Sequence, residues 1–160
     1  MATFLRIVDG RKAGHVASRG LALSRLGDGL RALYCFPVLR DFAMTHQWSR
    51  ELRRCGQRHL ACVQFRIPDE EPVQIGTYNG EKLTMGAAAA VATVLEHQQP
   101  VGLEVLVLRS VRPAQIMRIY PAPRLVGWRY HPKAKGMLPC HCSYCNRGEI
   151  RAQRLIGTES

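Results

Sequence analysis

The sequence predicts an α+β fold, on three observations. Short apolar stretches of strand length recur along the chain, and a few stretches with helical spacing lie among them. The two kinds do not alternate in the regular way that a parallel βαβ architecture requires. A chain of 160 residues favours one domain and buries a core without staples.

In order, residues 3–8 read as a short strand. Residues 11–19 read as a short helix with Ala13, Val16 and Ala17 on one face, ended by Gly20. Gly27-Asp28-Gly29 marks a turn, and residues 31–36 form a buried strand stopped by Pro37. Met44, Trp48, Leu52 and Cys55 recur at helical spacing, which predicts a helix over 42–55. Leu60, Cys62, Phe65 and Ile67 alternate with polar neighbours in a strand over 59–67 that slips in phase at Val63–Gln64. Asp69–Pro72 is a solvated turn, and Val73–Tyr78 is the next strand. Thr84 is expected to cap a helix over 85–97. Leu103–Leu108 is apolar on both faces, as a central strand is. Pro113 opens a short helix, and residues 115–120 and 125–130 are extended.

Composition narrows the class. Apolar residues make up 46% and charged residues 22%, which excludes a wholly disordered chain. No apolar run approaches the roughly 20 residues of a membrane helix, and the first residues lack the apolar core of a secretory signal. A soluble cytoplasmic protein with no membrane partner is expected. The net charge is +11, and all the cations are Arg except Lys12, Lys82, Lys133 and Lys135. Arginine forks onto phosphate and stacks on rings, so a polyanion, nucleic acid first, is the expected partner. Arginine standing in for lysine on a solvated surface accounts for the same composition. No Gly-x-Ser-x-Gly, His-Glu-x-x-His or P-loop motif occurs.

Glu104 sits in Val-Gly-Leu-Glu-Val-Leu-Val-Leu. A carboxylate in so apolar a strand is costly to bury unpaired. It is an exposed first residue of the strand, a partner for an arginine, or a catalytic carboxylate tuned by its surroundings. The order of elements bears on the choice. Arg6 stands in Phe4-Leu-Arg-Ile-Val, and a short helix leads to Gly20-Leu21. Ala32-Leu-Tyr-Cys-Phe-Pro37 follows, then Gly102-Leu-Glu-Val-Leu-Val-Leu108 and Val111-Arg-Pro-Ala-Gln-Ile116-Met-Arg-Ile119.

In this order the chain resembles the ADP-ribosyltransferase-like fold over residues 3–120. It is most similar to the RNA 2′-phosphotransferase branch and to the nucleic-acid-modifying toxin branch. The resemblance implies a compact split sheet over 1–125, with residues 126–160 as a Cys-rich extension packed on it. It implies NAD as substrate, held by Arg6, with Tyr34 or Phe36 against the nicotinamide and Glu104 catalytic. Two features of the family are missing: there is no Ser-Thr-Ser stretch, and Gly102 stands where a Glu or Gln precedes the catalytic Glu. That departure argues against arginine-directed protein modification. The resemblance then implies nucleic acid as the favoured acceptor, with a protein as the alternative, and a toxin or conflict effector with a neutralising partner suits so compact a chain.

Cys140-His-Cys-Ser-Tyr-Cys145 is the sharpest local motif. Three thiolates within six residues suit a structural zinc, which takes four ligands. His131 or His141 is the nearest fourth, with His131 preferred, and Cys35, Cys55 or Cys62 are more distant candidates. Free or redox-active thiols and an iron–sulfur cluster are the other readings. Cys35, Cys55 and Cys62 are expected to be reduced core residues. The alternative function is a non-enzymatic, zinc-stabilised, basic nucleic-acid-binding domain.

Overall fold

A computed structural model of the chain describes residues 1–26, 29–39, 43–78, 80–97 and 102–123. The fold is α+β, with three helices and eight strands among the described residues. In chain order these are β1 (Ala2–Asp9), α1 (Ala13–Arg19), β2 (Ser24–Arg25), β3 (Arg31–Pro37), α2 (Ala43–Arg54) and β4 (Leu60–Ile67). Next come β5 (Pro72–Thr77), β6 (Lys82–Gly86), α3 (Ala87–Glu96), β7 (Leu103–Val107) and β8 (Ile116–Pro121). Tight 3-10 turns occupy Gly10–Lys12 and Pro113–Gln115.

The strands form one antiparallel sheet in the order β6-β5-β7-β3-β1-β4-β8, with β2 added to β3, and the sheet does not close on itself. Its weak seam lies in the middle. β1 pairs with β4 from Ala2↔Ile67 through Asp9↔Leu60, but with β3 only at Phe4↔Pro37 and Leu5↔Phe36. Beyond Leu5, β3 continues against β7 at Leu33↔Val107 through Cys35↔Val105 and against β2 at Ser24↔Ala32. The ladder between β1 and β3 therefore stops where Arg6 begins.

Alternation divides the side chains between two faces. One face carries Phe4, Leu33, Val63, Phe65, Val73, Val105 and Val107, none of which is exposed. Phe4 stacks on Phe65 with ring centroids 6.0 Å apart. Helix α3 packs on β1, β3 and β5 through buried Ala87, Ala90 and Val94, whose small side chains allow close approach. The other face carries Leu5, Ile7, Tyr34, Phe36, Glu104 and Leu106, and α2 lies over its centre through Trp48 and Leu52.

Several expectations are corrected. Thr84 caps no helix: it pairs with Gln74 in the β5–β6 ladder, and α3 begins at Ala87. A side-chain cap is unnecessary, because the Ala87 and Ala88 amides donate to the carbonyls of Glu71 and Asp69 at 2.9 and 3.0 Å. β6 is therefore a strand that helical propensity concealed. β2 is likewise unforeseen. The phase slip in β4 is real, but falls between Gln64 and Phe65 against β8. Cys35 and Cys62 are buried free thiols, whereas Cys55 is exposed. The acidic turn is half-used: Glu71 accepts a forked pair from Arg109 Nε and Nη2 at 2.8 and 3.1 Å. Residues 27–28, the 125–130 segment and the whole 126–160 extension lie outside the described residues.

Gly20 explains why a Gly-Leu pair follows α1. Its φ is +81°, a left-handed conformation, and a Cβ there would fall on the Val111 carbonyl oxygen. Leu21 then exchanges two backbone hydrogen bonds with Val111, at 2.8 and 3.0 Å. This clamp ties the end of α1 to the segment that follows β7.

Among the described residues, no helix is long and apolar enough to cross a membrane.

Candidate active site at the gap between β1 and β3

Arg6 fills the place of the missing ladder. Its Nη1 donates to the Tyr34 carbonyl at 3.1 Å and its Nη2 to Ser24 Oγ at 3.0 Å, so one half-buried guanidinium joins β1 to β3 and β2. Burial lowers its pKa from the ordinary arginine value, against smaller opposing effects of Cys35 and Tyr34. The fork has five N–H donors, and these two bonds leave others for a ligand.

The gap opens into a cavity on either side of Arg6. One, of about 90 Å³, is apolar and aromatic, walled by Ile7, Tyr34, Phe36, Trp48 and Leu52. The other, of about 540 Å³, is lined by Lys12, His15, Arg19, Ser24 and Ser110, with no carboxylate from the described residues in its wall. Arg6 borders both. A flat ring fits the first chemistry, and phosphate and hydroxyl groups fit the second.

Tyr34 and Phe36 thus reach the same cavity as Arg6. The Tyr34 ring lies 5.7 Å from that of Trp48, and Trp48 meets Tyr78 edge-on at 6.3 Å. Phe36 is only 3% exposed and acts as a wall.

Glu104 is 1% exposed and does not line either cavity. It stands on β7 two residues from Leu106, the partner of Tyr34, and so shares the Tyr34 face. Arg6 leaves β1 on the opposite face. The sequence-derived site is therefore two adjoining parts rather than one groove. Glu104 is also not an exposed residue, nor, among the described residues, the partner of an arginine.

Its partner is Lys82, whose Nζ lies 2.9 Å from Glu104 Oε1. The two residues are on strands separated by β5, and Gly76 sits between them, opposite Lys82 on one side and Glu104 on the other. A Cβ at Gly76 would run into the Glu81 carbonyl and lie 2.9 Å from Lys82 Cδ. The glycine is thus the passage by which the lysine crosses a strand. The same Nζ donates to the Thr77 carbonyl, and to those of Tyr78 and Gly80 at 3.4 Å, gathering the β5–β6 turn around one cation. Burial pushes the Glu104 carboxyl above its ordinary value, and Lys82 pulls it back. Oε2 of Glu104 is buried and has no hydrogen-bond partner among the described residues.

Helix α2 covers this region with an unusual underside. It buries Thr45, His46 and Ser49 beside Met44, so polar groups share the face that packs on the sheet. Trp48 Nε1 and Ser49 Oγ are buried without a hydrogen-bond partner among the described residues, as Glu104 Oε2 is. Gln47 accepts from the Gly102 amide at 2.9 Å, which pins α2 to the start of β7. Orphaned polar atoms gathered on one side of a sheet are what a polar ligand or ordered water satisfies.

Sequence reasoning missed Lys82, Gly76 and Trp48. Lys82 carried a signal, as the lone lysine between Lys12 and Lys133 in an arginine-rich chain. Among the described residues, no group of three or more His, Cys, Asp or Glu is arranged to hold a metal ion. The expected zinc ligands Cys140, Cys142, Cys145 and His131 lie outside the described residues. No family model, curated protein or solved structure matches the chain.

Proposed function

We propose that the chain is an ADP-ribosyltransferase that uses NAD as substrate and modifies a macromolecule. One observation carries the reading: Arg6 interrupts the sheet between an aromatic cavity and a cationic one. A dinucleotide has both chemistries, a flat nicotinamide and an anionic pyrophosphate. Arg6 holds the substrate at the junction, Tyr34 and Phe36 supply ring contact, and Lys12 and Arg19 neutralise phosphate.

In the reaction the bond between the nicotinamide nitrogen and ribose C1′ breaks, and its electron pair leaves with nicotinamide. An acceptor nucleophile bonds to C1′ and gives up its proton. Positive charge develops on the ribose in between, and a fixed carboxylate stabilises it. The free Oε2 of Glu104 is the acceptor for a ribose hydroxyl, with Oε1 held by Lys82. Glu104 is buried, so α2, with its polar underside, must give way before the ribose reaches it.

The test is release of nicotinamide from ring-labelled NAD. Wild type is expected to turn over, and Arg6→Lys and Glu104→Gln to lose at least about 100-fold, the usual loss for one preorganised charge contact. Equal turnover in all three sinks the reading. The absence of both turnover and an NAD-induced thermal shift, with salt-sensitive binding of nucleic acid, supports the non-enzymatic binder instead.

A further inference from the structure

The turn Gly10–Lys12 is a ridge between two cationic hollows. Lys12 faces the Arg6 cavity, whereas Arg11 lines a separate open cleft of about 580 Å³ at the end of the sheet. Arg53 from the last turn of α2, together with Arg58 and His59 from the loop before β4, lines the same cleft. Among the described residues no carboxylate lines it. Arg53, Arg58 and His59 are exposed, and Arg53 and Arg58 have no ion pair among the described residues. Arg11 is paired with Asp9 at 2.6 Å, which fixes its position and leaves the arginine 77% exposed.

Two backbone hydrogen bonds frame the cleft. The Gly10 amide donates to the His59 carbonyl at 2.7 Å, and the Ala122 amide to the Leu60 carbonyl at 2.9 Å. Gly56, at φ +88°, turns the chain between Arg53 and Arg58 so that both reach one hollow. Tyr120 forms an inner wall, with Arg118 over its ring at 4.8 Å. Three guanidinium groups along one open wall match a chain of phosphates more closely than a single small anion. A basic cleft with an aromatic inner wall suits a single strand, whose unstacked bases offer open faces, more than a duplex, whose bases are stacked inside.

We infer that this second cleft grips the phosphate backbone of single-stranded nucleic acid, and that the strand is the acceptor of the transferase. Only the word acceptor rests on the transferase reading. The strand runs beside the donor cavity with the Gly10–Lys12 ridge between them.

The experiment measures binding of a fluorescein-labelled single-stranded DNA of about 12 nucleotides by anisotropy, between about 50 and 200 mM salt. Arg53→Gln/Arg58→Gln is compared with Arg25→Gln/Arg66→Gln, which changes the net charge equally at exposed sites outside the cleft. The first pair is expected to weaken binding about tenfold and to flatten the salt slope by about 1.4, or about 0.7 per lost phosphate. The second pair is expected to stay within about twofold of wild type. Equal weakening by both pairs, an unchanged slope, preference for a duplex competitor, or no binding by wild type each overturns the inference. NAD is not needed in this assay. A chain that binds the strand but never releases nicotinamide leaves the cleft standing and removes only the transferase.

Discussion

Replacing Lys82 by Met tests the centre of the candidate site without touching a cavity wall. The lysine is 17% exposed and its carboxylate partner 2%, at 2.9 Å. Removing one member of a buried pair leaves a charge without compensation and costs about 3–5 kcal/mol. Glu104 escapes part of that by taking up a proton, so the loss at neutral pH falls at the lower end, about 3 kcal/mol. The pH dependence carries the diagnosis. Burial holds the folded-state pKa of Glu104 above the ordinary 4.5. A carboxyl raised in this way contributes stability that is present below its unfolded value and lost as pH rises through its folded value. Without Lys82 the folded value moves higher still, so the loss continues further towards neutral pH. Urea unfolding followed by tryptophan fluorescence, at pH 4.5 and at pH 7, should therefore show a deficit that is small in acid and large at neutrality. Adding Glu104→Gln to Lys82→Met should recover about 2 kcal/mol at pH 7, since the stranded charge is gone. A single variant within about 0.5 kcal/mol of wild type at pH 7, or a deficit independent of pH, refutes the argument.

Gly76→Ala should reproduce the Lys82→Met pH pattern at a cost of about 2 kcal/mol, because the new methyl blocks the lysine's path; loss of stability with no pH dependence would contradict this. Gly20→Ala should cost more than about 3 kcal/mol in the same unfolding assay, since it combines a left-handed φ with a clash against Val111. In a variant with Cys140, Cys142 and Cys145 changed to Ser, Cys55 should be the one thiol that an aromatic disulfide reagent titrates at pH 8. Burial pushes the Cys62 thiol up to about 11 and Cys35 higher still, which leaves almost no thiolate on either. Metal analysis of the full chain should find about one zinc in wild type and none in Cys142→Ser.

Much of the scaffold is legible in the sequence because it is local. The strand of β4, the helical spacing of Met44, Trp48 and Leu52, and a β7 that is apolar apart from Glu104 each follow from burial of one face or both. Glu104 breaks the apolar pattern of its own strand, whereas Arg6, Tyr34 and Phe36 stand out only through the resemblance carried by the order of elements. Tertiary structure decided everything that depends on pairing across the chain. The helical pattern after Thr84 hid β6, because a ladder to β5 outweighs the propensity of five residues. The phase slip of β4 was visible, but its place between Gln64 and Phe65 depends on β8. Glu104 alone predicts a need for a partner. That the partner is Lys82, reached across β5 over a missing Cβ at Gly76, follows only from the register of three strands. The division of Arg6 and Glu104 between opposite faces also follows from alternation and register together, which no single segment contains. Local segments specify which residues are unusual; only long-range hydrogen-bond register specifies which of them meet.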